Sequence, residues 1–317
     1  MTVIEKINKA KSTLFTFELL PPLKGHSIDR VYSTIESLLE FEPAYINFTS
    51  HRNEVQYVEN PNGTLEKRLS RVRPGTIALA AAVKYKYNIT VVPHLLCGGF
   101  TREETENALI EMNFLGIEDV FALRGDPPKG SRSFIPEKGG NQNASALVEQ
   151  ITAMSHEEYL NGYVDTNSPA KFCIGVAGYP EKHFEAPNME IDMQNLKKKV
   201  DAGAHYIATQ MFFDNSAFFR FRDMCKDAGI DIPIIAGIKP ITALNDIKLL
   251  PQTFNIDIPA DLYNAVLKCK TDEEAREVGI EWTTMQSKEL IKEGVPGIHY
   301  YTLGRSDNVA RIVKSSF

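Results

Sequence analysis

The sequence predicts a closed (β/α)8 TIM barrel with extra helices before its last strand. Eight short apolar runs alternate with longer amphipathic segments along 317 residues, the pattern of an α/β protein. Most of the runs are apolar throughout, as in parallel strands covered on both faces, rather than alternating. No G-x-G-x-x-G follows any of them, so the open sheet that binds dinucleotides lacks its fingerprint. An open doubly wound sheet stays as the alternative.

In chain order, strands are expected at 14–19, 44–49, 90–96, 119–123, 172–177, 206–213, 233–238 and 298–303. Helices are expected at 28–40, 65–87, 103–115, 144–159, 191–202 and 216–228. Gly116, Gly203 and Gly229 stand where helix C-caps fall, since glycine accepts the left-handed conformation there. The polar stretches 126–143 and 161–170 read as loops. Residues 259–293 read as added helices rather than a second domain, so residues 1–317 are expected to form a single barrel domain.

The balance of 35 basic against 41 acidic side chains gives a net charge of −6, which disfavours nucleic acid as the main partner. The cysteines at 97, 173, 225 and 269 form no C-x-x-C pair, so reduced thiols and a cytoplasmic location are the simplest reading. The N-terminus has no apolar run of the signal-peptide kind, and no apolar stretch is long enough for a membrane span. The seven histidines show no metal-ligand spacing, and no P-loop, G-x-S-x-G or H-E-x-x-H occurs. No metal is expected, and nucleophilic hydrolysis is poorly supported.

Ligands of a barrel bind at the C-terminal ends of its strands, and polar residues gather there. Strand one ends in Glu18-Leu19-Leu20-Pro21-Pro22 and strand two in Thr49-Ser50-His51. Strand three carries His94. Strand four ends in Arg124-Gly125-Asp126, with Pro127-Pro128 stopping the strand. Strand five leads to Tyr179 and His183, strand six carries Gln210, and strand eight leads to Arg305. Each has a bland reading as an ion-paired acid, a satisfied core histidine or a backbone-bonded amide. Their coincidence at one end is what packing explains poorly, because buried charges need partners. On the helix at 191–202, Met193, Leu196 and Val200 are spaced to face the core. Asp192, Asn195 and Lys199 share another face, which is either solvated or suited to ribose hydroxyls and a pyrophosphate. The whole suits a large polar cofactor with proton or hydride chemistry beside it.

The segments FELLPP, PHLLC, ALRGD, YPEKH, LKKKVDAGA, TQMFFD, GIKPI and HYYTLGR occur in this order. In this, nearly the whole chain resembles the methylenetetrahydrofolate reductases, in the length of the bacterial catalytic barrel. The resemblance implies non-covalent FAD and NADH- or NADPH-dependent reduction of 5,10-methylenetetrahydrofolate to 5-methyltetrahydrofolate, a one-carbon reaction that feeds methionine synthesis. It implies that Glu18 is the general acid and that Asp126 sets the charge around flavin and pterin. Thr49, His94, Arg124, Gly125, Asp126, Ala144, Tyr179, His183, Ala186, Asp192, Asn195, Lys198 and Lys199 match flavin-contacting positions. Gln210 and Arg305 match substrate positions. Two places depart from the family pattern: Ser50-His51-Arg52-Asn53 replaces a glycine-containing stretch, and Leu250 stands where some relatives carry a phenylalanine over the folate. A homo-oligomer is compatible with this reading. A flavin-free folate-binding methyltransferase and a non-catalytic partner subunit are the competing readings.

Overall fold

The computed structural model describes residues 1–51, 54–70, 72–127, 131, 133–165, 169–302 and 306–317. Eight parallel strands close into a barrel: β1 (Leu14–Leu19), β2 (Ile46–Phe48), β3 (Val91–Leu96), β4 (Asp119–Leu123), β5 (Cys173–Gly178), β6 (Tyr206–Thr209), β7 (Ile234–Ile238) and β8 (Gly297–Tyr301). Each pairs with its neighbours in sequence, and β8 closes on β1 with Thr16 opposite His299 and Glu18 opposite Tyr301. The open-sheet alternative is thereby excluded.

The helices are α1 (Val3–Lys9), α2 (Asp29–Glu36), α3 (Thr76–Tyr87), α4 (Arg102–Phe114), α5 (Ala144–Ser155), α6 (Met189–Asp201), α7 (Asn215–Asp227), α8 (Asp246–Phe254), α9 (Ala260–Leu267), α10 (Asp272–Lys292) and α11 (Ser306–Ser316). Side chains alternate along each strand. One set, including Phe17, Phe48, Leu95, Val120 and Ile298, packs outward under the helices. The other fills the barrel. Tyr45, Val92, Phe121, Tyr206 and Ile235 form its interior, and Val3, Ile4 and Ile7 of α1 join them at the N-terminal end. Gly175 makes room there: a Cβ would lie 2.3 Å from Tyr206 Cζ and 2.6 Å from Phe121 Cδ2.

The extra helices expected over 259–293 are present as α9 and the long α10, and α8 precedes them. They enclose a satellite core with Met211, Phe213, Ile241, Leu250 and Leu262. Leu250 is buried in that core, so packing among the added helices accounts for it.

Three expectations are corrected. The helix expected over 65–87 begins only at Thr76, and Glu54–Glu59 pairs antiparallel with Leu65–Ser70 as a hairpin after β2. The turn Asn60-Pro61-Asn62-Gly63 and the breaker Pro74-Gly75 are the local reasons. The helix expected to reach Tyr159 stops at Ser155, and a two-residue hairpin pairs Glu158–Tyr159 with Gly162–Tyr163. Glu157 between them has φ 66°, which no helix continues through. The helix expected over 28–40, α2, ends at Glu36 and is followed by a single 3-10 turn over Leu39–Phe41.

Candidate active site

Inward parity puts Thr16 and Glu18 of β1, Asn47 of β2, His94 of β3 and His299 of β8 within the upper barrel. All five are buried. The His299 ring bridges two residues of β1. Its Nδ1 lies 3.2 Å from Thr16 Oγ1 and its Nε2 lies 3.8 Å from Glu18 Oε2. Tyr301 meets that ring edge-on at 5.3 Å and donates its hydroxyl to the Thr209 carbonyl oxygen at 2.6 Å. The Thr302 hydroxyl donates to the Glu18 carbonyl oxygen at 2.7 Å, fixing the backbone beneath the acid.

His94 Nε2 lies 3.2 Å from Asn47 Nδ2. Burial pushes the His94 imidazole down to about 4, against the attraction of Glu18. His94 is therefore neutral at pH 7, with Nε2 accepting from the Asn47 amide. Asn47 Oδ1 is buried with no hydrogen-bond partner.

At the mouth, His51 feels four influences. Burial and the Arg73 guanidinium lower its pKa, while Glu18 and Asp126 raise it. Glu18 and Asp126 thus both lie within electrostatic reach of His51. Arg73 bonds the Pro21 carbonyl oxygen and ties down the segment after β1.

A second group lies at the ends of β4 and β5 and on α6. Arg124 pairs with Glu185 and lies over the Phe134 ring at 4.9 Å. Gly125 adopts φ +85°, a left-handed conformation that favours glycine. The Tyr179 and His183 rings meet edge-on at 4.6 Å. The backbone N–H of His183 donates to Asp192 Oδ2 at 2.8 Å. Lys199 Nζ donates to the Ala177 carbonyl oxygen at 2.5 Å and lies 5.8 Å from the Tyr179 ring centre. Burial pushes the Lys199 ammonium down to about 8, with Asp192 opposing. Ala186 is buried in the same loop, its carbonyl oxygen accepting from Lys182 Nζ at 2.7 Å.

Other expected residues are placed differently. Asn195 and Lys198 are exposed on α6, and Lys198 lines a groove beside α5 with Thr152, His156 and Glu158. Ala144 is the first residue of α5, whose Asn143 cap holds the Cys97 thiol through its carbonyl oxygen. Thr49 follows β2, its hydroxyl directed at the Leu19 carbonyl oxygen. Gln210 follows β6, and its carboxamide oxygen accepts the Met211 N–H at 2.9 Å. Arg305, Arg52 and Asn53 lie outside the described residues. Asn47 and His299 are additions that the sequence reading passed over, and His51 was given there no role beyond its place after strand two. His299 opens the HYYTLGR segment and has the inward parity that finds the others.

Among the described residues no group of three or more metal-ligating side chains gathers, and no helix is long and apolar enough to cross a membrane.

A closed parallel barrel with a buried acid at the end of β1, and polar side chains gathered beyond the C-terminal ends of its strands, is a TIM barrel suited to a polar ligand at that mouth. The methylenetetrahydrofolate reductase family model matches residues 3–316, and the chain belongs to that family. The 5,10-methylenetetrahydrofolate reductase of Escherichia coli is 32% identical over 293 residues, covering 92% of this chain and 86% of its own. Methylenetetrahydrofolate reductase (NADH) 1 of Arabidopsis thaliana is 30% identical over 316 residues, covering 96% of this chain. The chain spans 48% of that plant relative's length. An uncharacterized Clostridium thermocellum protein, solved with two copies of 5-methyl-5,6,7,8-tetrahydrofolic acid, has the same fold. Its TM-score is 0.56 at 14% identity, covering 98% of this chain and 97% of that one.

Proposed function

We propose that this chain reduces 5,10-methylenetetrahydrofolate to 5-methyltetrahydrofolate with NADH or NADPH through a non-covalently bound FAD. Residues 1–317 act in this reading as one catalytic barrel. The observation that carries it is Glu18, a carboxyl group buried at the C-terminal end of β1, with His51 within electrostatic reach of both it and Asp126. Its four free thiols fit a cytoplasmic enzyme.

The residues present fit a flavin. Lys199 spends one N–H on Ala177 and so keeps two for an anion such as a phosphate. Gly125 lets backbone approach a flat ring. The orphaned Asn47 Oδ1 offers a buried acceptor. Lys199, Asp192, Tyr179 and His183 would hold the cofactor, with Arg124 and Gly125 at its edge. When bound, FAD would supply the hydride chemistry that links NADH or NADPH to the folate.

The chain's own part is binding and proton control. The five-membered ring of the substrate must open to a 5-iminium cation before hydride arrives. Opening expels N10, a poor leaving group until it gains a proton. Glu18 supplies that proton as the bond between N10 and the methylene carbon breaks. Asp126, as a carboxylate, favours the cation that results. Gln210, at the end of β6, orients the folate through its free amide N–H groups.

Anaerobic half-reactions test the reading. Purified protein should carry a flavin spectrum, bleach with NADH or NADPH, and recover with methylenetetrahydrofolate. A colourless protein that binds methyltetrahydrofolate would overturn it in favour of the flavin-free reading.

Two variants test the assignments. Lys199→Ala should raise the flavin dissociation constant at least about tenfold, since a charge-assisted hydrogen bond contributes about 1.5–3 kcal/mol. Lys198→Ala, on the exposed side of α6, should change it by less than about threefold. Fluorescence titration of apoprotein with FAD reads both, and equal effects would discard the Lys199 assignment. Gln210→Ala should raise the folate concentration needed for half-maximal reoxidation about fivefold to tenfold, the value of one hydrogen bond, with flavin affinity unchanged. Stopped-flow reoxidation measures it.

A further inference from the structure

We propose that His299 is the positioning residue of Glu18, holding the carboxyl group in place and stabilising its ionised form after the proton has left. The proposal rests on the reading of Glu18 as the acid.

His299 is held on both ring nitrogens. It is 2% exposed, and its strand places it opposite Thr16 and one inward position below the level of Glu18. Thr16 Oγ1 sits 3.2 Å from Nδ1 and Glu18 Oε2 sits 3.8 Å from Nε2. With Thr16 donating its hydroxyl to Nδ1, the ring carries its proton on Nε2, directed at the carboxyl group. The edge-on Tyr301 ring prevents it from swinging away. The distance to Glu18 exceeds a full hydrogen bond, as is common for catalytic contacts before substrate binds.

The chemistry gives the contact a purpose. Once N10 has taken the proton, Glu18 is left as a carboxylate in a buried site, where unpaired charge is costly. A neutral N–H donor facing it stabilises that product of proton transfer without adding a positive charge beside the cationic iminium. The titratable groups facing Glu18 are His299 and Tyr301 from β8, His94 from β3 and His51 after β2, with Arg73 and Asp126 beyond His51. His94 spends its Nε2 on Asn47, and Tyr301 spends its hydroxyl on Thr209. His299 is the imidazole whose nitrogen is directed at Glu18, with Nε2 3.8 Å from its Oε2.

The test is the pH profile of single-turnover folate reduction in the reduced holoenzyme. The general acid is read from the falling limb of that profile at high pH. Removing a donor to the carboxylate disfavours ionisation, so His299→Leu should move that limb up by about one pH unit. On the plateau below the limb it should slow the step by up to about tenfold, the full value of one such unit. Flavin reduction by NAD(P)H should change by less than about threefold. Gln places an amide N–H near the Nε2 position, so His299→Gln should restore the limb. Adding His299→Leu to Glu18→Gln should cost nothing further, because the two act as a unit. A slower His299→Leu enzyme with an unmoved limb, or an additive double variant, would overturn the proposal and make His299 merely structural. Full folate reduction by Glu18→Gln alone would instead overturn the reading on which the proposal rests. Should His299→Leu not fold, Thr16→Val tests the same chain. It frees Nδ1, and its limb should move in the same direction by a smaller amount; an unmoved limb would sink the proposal.

Discussion

Glu18→Gln is expected to slow reduction of methylenetetrahydrofolate by at least ~10²–10⁴, the span that a lost general acid removes. Glutamine keeps the shape of the side chain and can still accept from His299, but it has no proton to give to N10. Transfer of hydride from NAD(P)H into the flavin needs no acid at N10. That half-reaction should stay within about tenfold of the parent. The two half-reactions, measured separately without oxygen, divide the possibilities. Equal damage to both would make Glu18 a group that positions the flavin, and undiminished folate reduction would place the acid elsewhere.

Asp119→Asn is expected to stabilise the protein at pH 8 and to do so much less at pH 5. Asp119 begins β4 at the opposite end of the barrel, 3% exposed, and its Oδ1 accepts the Val3 N–H of α1 at 2.7 Å. Burial pushes its carboxyl up to about 7, against the hydrogen bonds from Val3 and Cys173. The folded pKa lies above the unfolded one. Its contribution is therefore full below about pH 4 and is lost as pH rises through about 7. Three units at about 1.4 kcal/mol each set a ceiling of about 4 kcal/mol, and about 2 kcal/mol is expected after local relaxation. Asparagine keeps an acceptor for Val3 without the charge. Urea unfolding of parent and variant at pH 5 and pH 8 measures the difference, and a gain independent of pH would show that Asp119 does not titrate.

The barrel was legible because buried parallel strands leave an unbroken apolar signature. Val120, Phe121 and Ala122 or Ile234, Ile235 and Ala236 have no other simple explanation. The hairpin at 54–70 was not legible, because its strands are mostly polar and lack the apolar period that separates strand from helix. Its turn residues were present, and Pro74 marked the true start of α3. In the site, Glu18, His94 and Gln210 were found by position at strand ends. Asn47 and His299 were missed for a physical reason. Their partners are 47 and 283 residues away, and contacts across a barrel have no local trace. Lys198 and Lys199 are neighbours in sequence, yet helical geometry turns them to different sides of α6.

The seam between β1 and β8 joins the first and last strands of the barrel. In a chain made from its N-terminus, the strand that carries the acid emerges first of the eight, whereas its closing partner emerges last of them. Every nascent form short of β8 holds Glu18 beside an open edge, reachable by water and without Thr302 or His299 beneath it. Such a form can gather much of its outer core and still lack the environment that its acid needs. Full competence therefore arrives in a single event, the pairing of two strands separated by the six others, and that long loop closure is slow.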